Sequence, residues 1–321
     1  MNYDWIKTRS DYDEVKAAVI DPLKGTEWSY QDMNIRAENL ANHIKDQGIK
    51  RGDVVGIFAP NDVAIFDLLF ASFKMGVVFL PINWRLKPKE IQSIIEDSGV
   101  KMIFYSLRHK ESLTGTPEEL LHMDIDSAEY DQICSPENHR PFETVDVESD
   151  ELASLMYTSG TTGLPKGVMF TYESYVSNVI NAALTYKTNS NQTSIISTPM
   201  FHVLGLNDTA LPLIMAGGTL VLHRYFDGAE INDLMAKFKP DYLIMIPTMF
   251  YGMLAADNFN PENFENIEYL IQGGSAPLPA VQKKFESMGQ TLINGYGLTE
   301  APLAMVNTPH NSKVKPMTIG K

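Results

Sequence analysis

Cysteine is almost missing from this chain: Cys134 is the single one in 321 residues. That excludes an intrachain disulfide framework and any metal site built from several thiolates, and it suits a reducing, cytoplasmic setting. Long apolar runs are missing as well, so no membrane-spanning segment is expected. Met1-Asn2-Tyr3-Asp4-Trp5 carries neither the basic nor the apolar part of a signal peptide. Basic residues are in deficit, 26 Lys and Arg against 40 Asp and Glu, for a formal net charge of −14. This argues against broad nucleic-acid binding, although a local nest of N–H groups can still bind an anionic substrate. His43, His109, His122, His139, His223 and His310 show no metal-ligand spacing. Internal repeats and low-complexity tracts are absent.

What is present is a chain that is 44% hydrophobic, enough for a large core split over two lobes. Short β-branched runs alternate with helical periods, which predicts an α/β fold. Val54–Phe58 reads as a buried strand, and Asn61 or Asp62 can cap the helix after it. Val63, Phe66, Leu69, Phe70 and Phe73 line one face of that helix, and Gly76 ends it. Val77–Leu80 is the next strand, while Ile35, Leu40 and Ile44 mark an earlier helix closed by Gly48. Residues 107–150 are acidic, proline-interrupted and without a clear period, and read as irregular connection and edge structure between lobes with Cys134 an incidental thiol. Further strands are expected near Thr193–Ser197, Thr219–Leu222, Tyr242–Ile246, Tyr269–Gln272 and Thr291–Asn294. The lobes are expected at about 50–195, and at 1–49 together with 196–321.

The densest chemistry lies in Tyr157-Thr158-Ser159-Gly160-Thr161-Thr162-Gly163-Leu164-Pro165-Lys166-Gly167. Glycines permit close backbone approach and positive φ, hydroxyls donate hydrogen bonds, and Lys166 adds a compact charge. Together they suit a polyphosphate. A Walker A loop is excluded, because Lys166 lies between Pro165 and Gly167. Leu152–Tyr157 and Val168–Phe170 read as strands joined by this loop. A second segment is Asn294-Gly295-Tyr296-Gly297-Leu298-Thr299-Glu300. Tyr296 can stack on a purine, Thr299 can hydrogen-bond an α-phosphate, and Glu300 is a hard oxygen ligand for Mg²⁺. Taken alone, it reads equally as a strand-end turn with a packed tyrosine and a solvated glutamate. Two more segments, Gln272-Gly273-Gly274-Ser275-Ala276-Pro277-Leu278 and Pro199-Met200-Phe201-His202-Val203-Leu204-Gly205-Leu206, are ordinary in isolation: a glycine-rich strand-to-helix turn, and a lone histidine among apolar neighbours.

In this order, these segments resemble the adenylate-forming superfamily of acyl- and aryl-CoA ligases, peptide-synthetase adenylation domains and firefly-type luciferases. The 157–167 loop resembles its phosphate loop, and 296–300 its Y-G-x-T-E motif. The P-x-F-H at 199–202 and Pro81-Ile82-Asn83-Trp84-Arg85-Leu86 are similar to segments of the CoA ligases. The resemblance runs from about Thr26 to Lys321, and it implies two packed αβ lobes of the superfamily's N-terminal domain. It implies an enzyme that activates a fatty or aryl acid with ATP and Mg²⁺ to an acyl-adenylate and then, with CoA, to a thioester; a homo-oligomer is compatible with it. Thr158, Ser159, Gly160, Thr161, Thr162, Gly163 and Lys166 would hold phosphates. Gly274, Ser275, Ala276, Asn294, Gly295, Tyr296, Gly297 and Thr299 would contact the nucleotide, Glu300 the metal, and His202 would border the acid. Lys166, His202, Thr299 and Glu300 would thus be the catalytic group. The apolar Val203, Leu204 and Leu206 suit an acyl or aryl tail.

Peptide synthetases usually have an aspartate near His202 and a proline at Leu298, so an amino acid is disfavoured as substrate. Tyr172 stands where many members have histidine. A non-catalytic nucleotide- or acyl-adenylate-binding module and an adenylation domain for another acid are the alternatives. Ile319-Gly320-Lys321 is similar to the start of the superfamily's V-G-K-P segment, after which a barrel-like lobe and a C-terminal domain with a catalytic lysine would follow. Residues 1–321 by themselves are therefore expected to show little or no ligase activity. Carboxylate-dependent pyrophosphate release from the purified 321-residue chain measures this, and a robust rate contradicts it.

Overall fold

The computed structural model describes residues 3–158 and 165–320. Its strands, in chain order, are β1 (Ala17–Asp21), β2 (Thr26–Ser29), β3 (Val54–Phe58), β4 (Val78–Pro81), β5 (Met102–Tyr105), β6 (Leu121–Asp124), β7 (Leu152–Thr158), β8 (Lys166–Thr171), β9 (Thr193–Ile196), β10 (Thr219–Leu222), β11 (Tyr242–Met245), β12 (Tyr269–Gln272), β13 (Leu292–Leu298) and β14 (Ala301–Val306). Helices alternate with them, so the expected α/β class holds. The chain divides into two compact units, Met1–Ala17 with Trp28–Ser177, and Ala18–Glu27 with Asn178–Lys321. Among the described residues, no helix is long and apolar enough to cross a membrane.

The first unit is built on a six-stranded sheet in the order β6-β5-β3-β4-β7-β8. Its neighbours are parallel except for β7 and β8, which are antiparallel. Strands in the interior of a parallel sheet are covered on both faces and read as unbroken apolar runs; β4 and β5 are buried at every residue.

The helix Val63–Met75 starts where the Asp62 carboxylate accepts the Ala64 N–H at 3.0 Å and stops at Gly76, whose φ is 68°. Its apolar spacing predicts one buried face, yet all thirteen residues are buried. Two charged side chains therefore go inside, and each needs a partner. Asp67 accepts Nε and Nη2 of Arg36 at 2.9 and 2.6 Å and the Tyr130 hydroxyl at 2.8 Å. Lys74 donates to Asp4 and to Asn34, both at 2.8 Å.

These partners explain two departures from the sequence reading. Asp4, Asn34 and Arg36 are tied to the buried helix, so residues up to Ala17 and from Trp28 onward belong to the first unit rather than with the second lobe. Residues 107–150 supply the sheet edge expected of them but are less irregular than the sequence suggests. They hold β6, which pairs with β5, and the helix Ala128–Cys134 that delivers Tyr130 to Asp67. Both elements are too short for a period to emerge. Cys134 is fully buried and its thiol is pushed up to about 12, chiefly by that burial, which makes it unreactive.

The second unit holds an eight-stranded sheet in the order β14-β13-β12-β11-β9-β10-β1-β2. From β1 across to β13 the neighbours are parallel, and β13 and β14 close the edge as an antiparallel pair. On one face, Phe250, Phe264 and Phe285 share a core with Leu243, Leu270 and Leu292 of β11, β12 and β13. Because the central strands are parallel, their carboxyl ends fall along one edge of the sheet, where an open α/β fold places its ligands.

Asp4→Ala leaves the Lys74 ammonium buried without its nearest carboxylate and should cost about 3 kcal/mol. Urea unfolding of the variant against wild type measures it, and an unchanged midpoint contradicts the assignment.

Candidate functional site

In the first unit, β7 and β8 form the base of the 157–167 loop. Tyr157 pairs with Gly167 and Thr158 with Lys166. Paired residues of an antiparallel ladder share a face, so the Thr158 hydroxyl and the exposed Lys166 emerge together. Ser159, Gly160, Thr161, Thr162 and Gly163, all expected to contact phosphate, lie outside the described residues. Tyr157 fixes the base. Its hydroxyl donates to Asp97 at 2.5 Å and is pushed well above the usual tyrosine range, first by burial and then by that bond. A Cβ on Gly167 would lie 3.1 Å from Tyr157 Cζ, so glycine leaves room for the ring. Asp97 has no signal in the local sequence, being 60 residues from Tyr157.

In the second unit, the other three segments meet at the carboxyl edge of the sheet. Gln272 and Asn294 are register partners on β12 and β13. A Cβ on Gly273 would come within 3.2 Å of the Gly295 carbonyl oxygen, and one on Gly274 within 3.6 Å of Leu204 Cδ2. Gly274 has φ +76°, a conformation that favours glycine. Gly274, Ser275 and Ala276 are exposed along this edge.

His202 is exposed, with its ring 4.4 Å from that of Phe201. Its backbone N–H donates to Pro199 O at 3.1 Å, and its carbonyl accepts from Gly205 and Leu206 at 3.1 and 3.0 Å. This tight turn requires Gly205, since a Cβ there would sit 2.4 Å from Pro199 O and 2.7 Å from Thr198 O. Val203 and Leu204 are half-buried, whereas Leu206, expected beside a substrate tail, is wholly enclosed in the protein. It opens a π-turn over Leu206–Ala210 that no sequence period announces.

The Tyr296–Glu300 segment is not the end of a strand, as its glycines suggest, but the tip of a hairpin. Strand β13 runs on to Leu298, Leu298 pairs with Ala301, and Thr299 and Glu300 form the two-residue connection. The register shifts between Tyr296 and Leu298. A Cβ on Gly297 would lie 2.7 Å from Leu303 N, so the bulge accepts only glycine there. Leu303 itself adopts φ 47°, a left-handed conformation that costs a non-glycine residue energy. Asn178 and Asn181 donate to the carbonyls of Pro302 and Leu303 at 3.5 and 3.4 Å. The bulge leaves the Tyr296 ring 41% exposed, with Glu300 exposed and Thr299 half-buried at the tip.

Asn294 is different. It is 1% exposed and its amide is engaged by the protein. Gln272 donates to its Oδ1 at 2.7 Å, and its Nδ2 donates to Pro316 O and Thr318 O at 2.7 and 3.0 Å. Its side chain braces the edge from within, and only its backbone neighbours Gly295 and Tyr296 reach the surface.

A single hard carboxylate such as Glu300 matches how Mg²⁺ is held, with one or two protein oxygens and the rest from phosphates and water. The exposed Tyr296 ring and the open Gly274 backbone suit a flat nucleotide base.

Gly205→Ala should lower the unfolding free energy by about 2 kcal/mol through overpacking against two carbonyls. Equilibrium denaturation checks this, and a wild-type midpoint would remove the argument that the turn needs glycine.

A family described as AMP-binding enzyme matches residues 7–321. Feruloyl-CoA synthase of an Amycolatopsis species is 30% identical over 278 residues, which is 86% of this chain and 55% of that protein. Long-chain-fatty-acid–CoA ligase FadD13 of Mycobacterium tuberculosis is 29% identical over 311 residues, 94% of this chain and 60% of that protein. Among solved structures, the inhibitor-bound N-terminal domain of FACL13 from Mycobacterium tuberculosis superimposes with a TM-score of 0.91 at 26% identity, covering 100% of this chain and 82% of that one. The chain thus spans little more than half the length of these curated relatives.

Proposed function

Since the chain belongs to the AMP-binding enzyme family, we propose that it serves the ATP-dependent activation of a fatty or aryl carboxylic acid, first to an acyl-adenylate and then to its CoA thioester. The observation that carries this reading is the bulged hairpin at 296–300. It holds an exposed aromatic ring, a hydroxyl and a carboxylate in succession beside the open backbone of Gly274. The acids named in the relatives, ferulic and long-chain fatty acids, are of the same chemical class. A cytoplasmic setting agrees with the one buried, unreactive thiol.

In the reaction, an oxygen of the substrate carboxylate bonds to the α-phosphorus while the bond to the β-phosphate oxygen breaks and pyrophosphate leaves. The CoA thiolate then attacks the acyl carbon and AMP departs. Two anions must meet in the first step, so the protein's task is alignment and charge neutralisation. Thr158, Ser159, Gly160, Thr161, Thr162, Gly163 and Lys166 hold the departing β- and γ-phosphates. Thr299 orients the α-phosphate, and Tyr296 stacks on the purine, with Gly274, Ser275, Ala276, Gly295 and Gly297 supplying backbone surface. Asn294 supports that surface from beneath. His202 borders the acid, and Val203 and Leu204 meet its tail. Glu300 is the ligand for Mg²⁺, which when bound supplies positive charge to the phosphate oxygens.

Calorimetry with ATP in the presence and absence of Mg²⁺ tests the reading. Glu300→Gln should lose about tenfold in ATP affinity with Mg²⁺ present and little without it. Equal weakening under both conditions contradicts the role of Glu300. Failure of the wild-type chain to bind ATP–Mg²⁺ or an acyl-adenylate analogue counts against the proposal as a whole.

A further inference from the structure

Behind the His202 turn lies a buried carboxyl for which the proposed reaction has no use. Asp208 is 4% exposed and sits in the π-turn Leu206–Ala210. Its hydrogen-bond partner is the Asn178 amide, whose Nδ2 donates to Oδ1 at 3.2 Å, and no cation is paired with it among the described residues. A lone amide does not offset the cost of burying a carboxylate. The groups packed around it do not either. Helix Tyr172–Tyr186 contributes the Tyr186 hydroxyl, and β11 contributes Tyr242, which donates to Thr209 O at 3.5 Å. Strand β14, the turn Val203–Gly205 and the helix Leu211–Ala216 carry no ionisable side chain. The buried Tyr186 hydroxyl and Asn178 Oδ1 have no hydrogen-bond partner among the described residues.

The π-turn also reaches forward to the ligand edge. A π-turn shifts the backbone pairing by one residue, and the adjacent Thr209 hydroxyl donates to Leu204 O at 2.6 Å. Leu204 in turn packs over Gly273 and Gly274. The turn therefore connects a buried carboxyl to a side chain on the ligand edge.

We propose that Asp208 is a positioning residue: as a neutral carboxyl it keeps the π-turn, and through Thr209 also Leu204, in place, and loss of its proton loosens both. The consequence for substrate rests on reading the Leu204–Gly274 face as the acid pocket. Burial pushes the carboxyl up to about 7, against a smaller opposing effect of the Asn178 amide. The neutral form therefore dominates below neutrality and the strained anion above it.

Amide hydrogen exchange over residues 203–211, corrected for the intrinsic pH dependence, tests the turn directly between pH 6 and pH 8.5. Wild type should lose protection as pH rises, Asp208→Asn should not, and Asn178→Ala should move the loss to higher pH because the amide favours the anion. Binding of an acyl-sulfamoyl adenosine, measured by calorimetry, should weaken about tenfold in wild type between pH 6 and pH 8, in proportion to the neutral fraction, and stay level in Asp208→Asn. A flat wild-type exchange profile, or the same slope in Asp208→Asn, overturns the proposal. If neither protein binds the analogue at any pH, the pocket reading fails, and the exchange profile alone decides the role of Asp208.

Discussion

The second unit converges on one buried amide. The side chain of Asn294 accepts from Gln272 on the neighbouring strand and donates to the carbonyls of Pro316 and Thr318, while the Asn294 backbone carbonyl accepts the Asn307 N–H at 2.9 Å. Asn294, Gln272 and Asn307 are removed from water, and a buried polar group left unpaired is expensive. The register of β12 against β13, the return of β14 and the path of residues 316–318 are thus tied to a single residue. That residue immediately precedes Gly295 and Tyr296, so the exposed edge of the sheet inherits its position from beneath.

Close backbone approach is the companion constraint. At Gly205, Gly273 and Gly297 a Cβ would meet backbone atoms at 2.4, 3.2 and 2.7 Å. The contacts at Gly205 and Gly297 fold the His202 turn and the 296–300 hairpin tightly on themselves, and the contact at Gly273 brings the 273–276 turn against β13 closer than a side chain would permit. The glycines thus serve internal packing at these points, and the surface they leave open is a by-product of it. Gly274, exposed and with φ +76°, is the position where backbone itself faces outward.

The first unit solves a different problem. Its central helix is enclosed on all sides, yet carries Asp67 and Lys74. The counterions are Arg36 and Asp4 and the further hydrogen-bond partners Tyr130 and Asn34, all distant in sequence. Burying charges in this way adds little net stability. It does specify which segments must gather around the helix, and so fixes the context in which β7 and β8 carry Thr158 and Lys166.

Much of this was legible in the residues alone. Apolar runs and caps marked the strands and the 63–75 helix, and the order of hydroxyls, glycines, lysine and carboxylate marked the segments that gather at the ligand edge and the loop base. These signals are local, because a turn, a cap or a strand is set by neighbours a few positions away. Tertiary structure decided the rest. It turned Asn294 inward, extended β13 into a bulged hairpin, enclosed Leu206, built a π-turn around Asp208, and tied Tyr157 to Asp97 across 60 residues. Each of these depends on which surfaces exclude water and which polar groups find partners there, and such pairings follow from the packing of segments far apart in the chain.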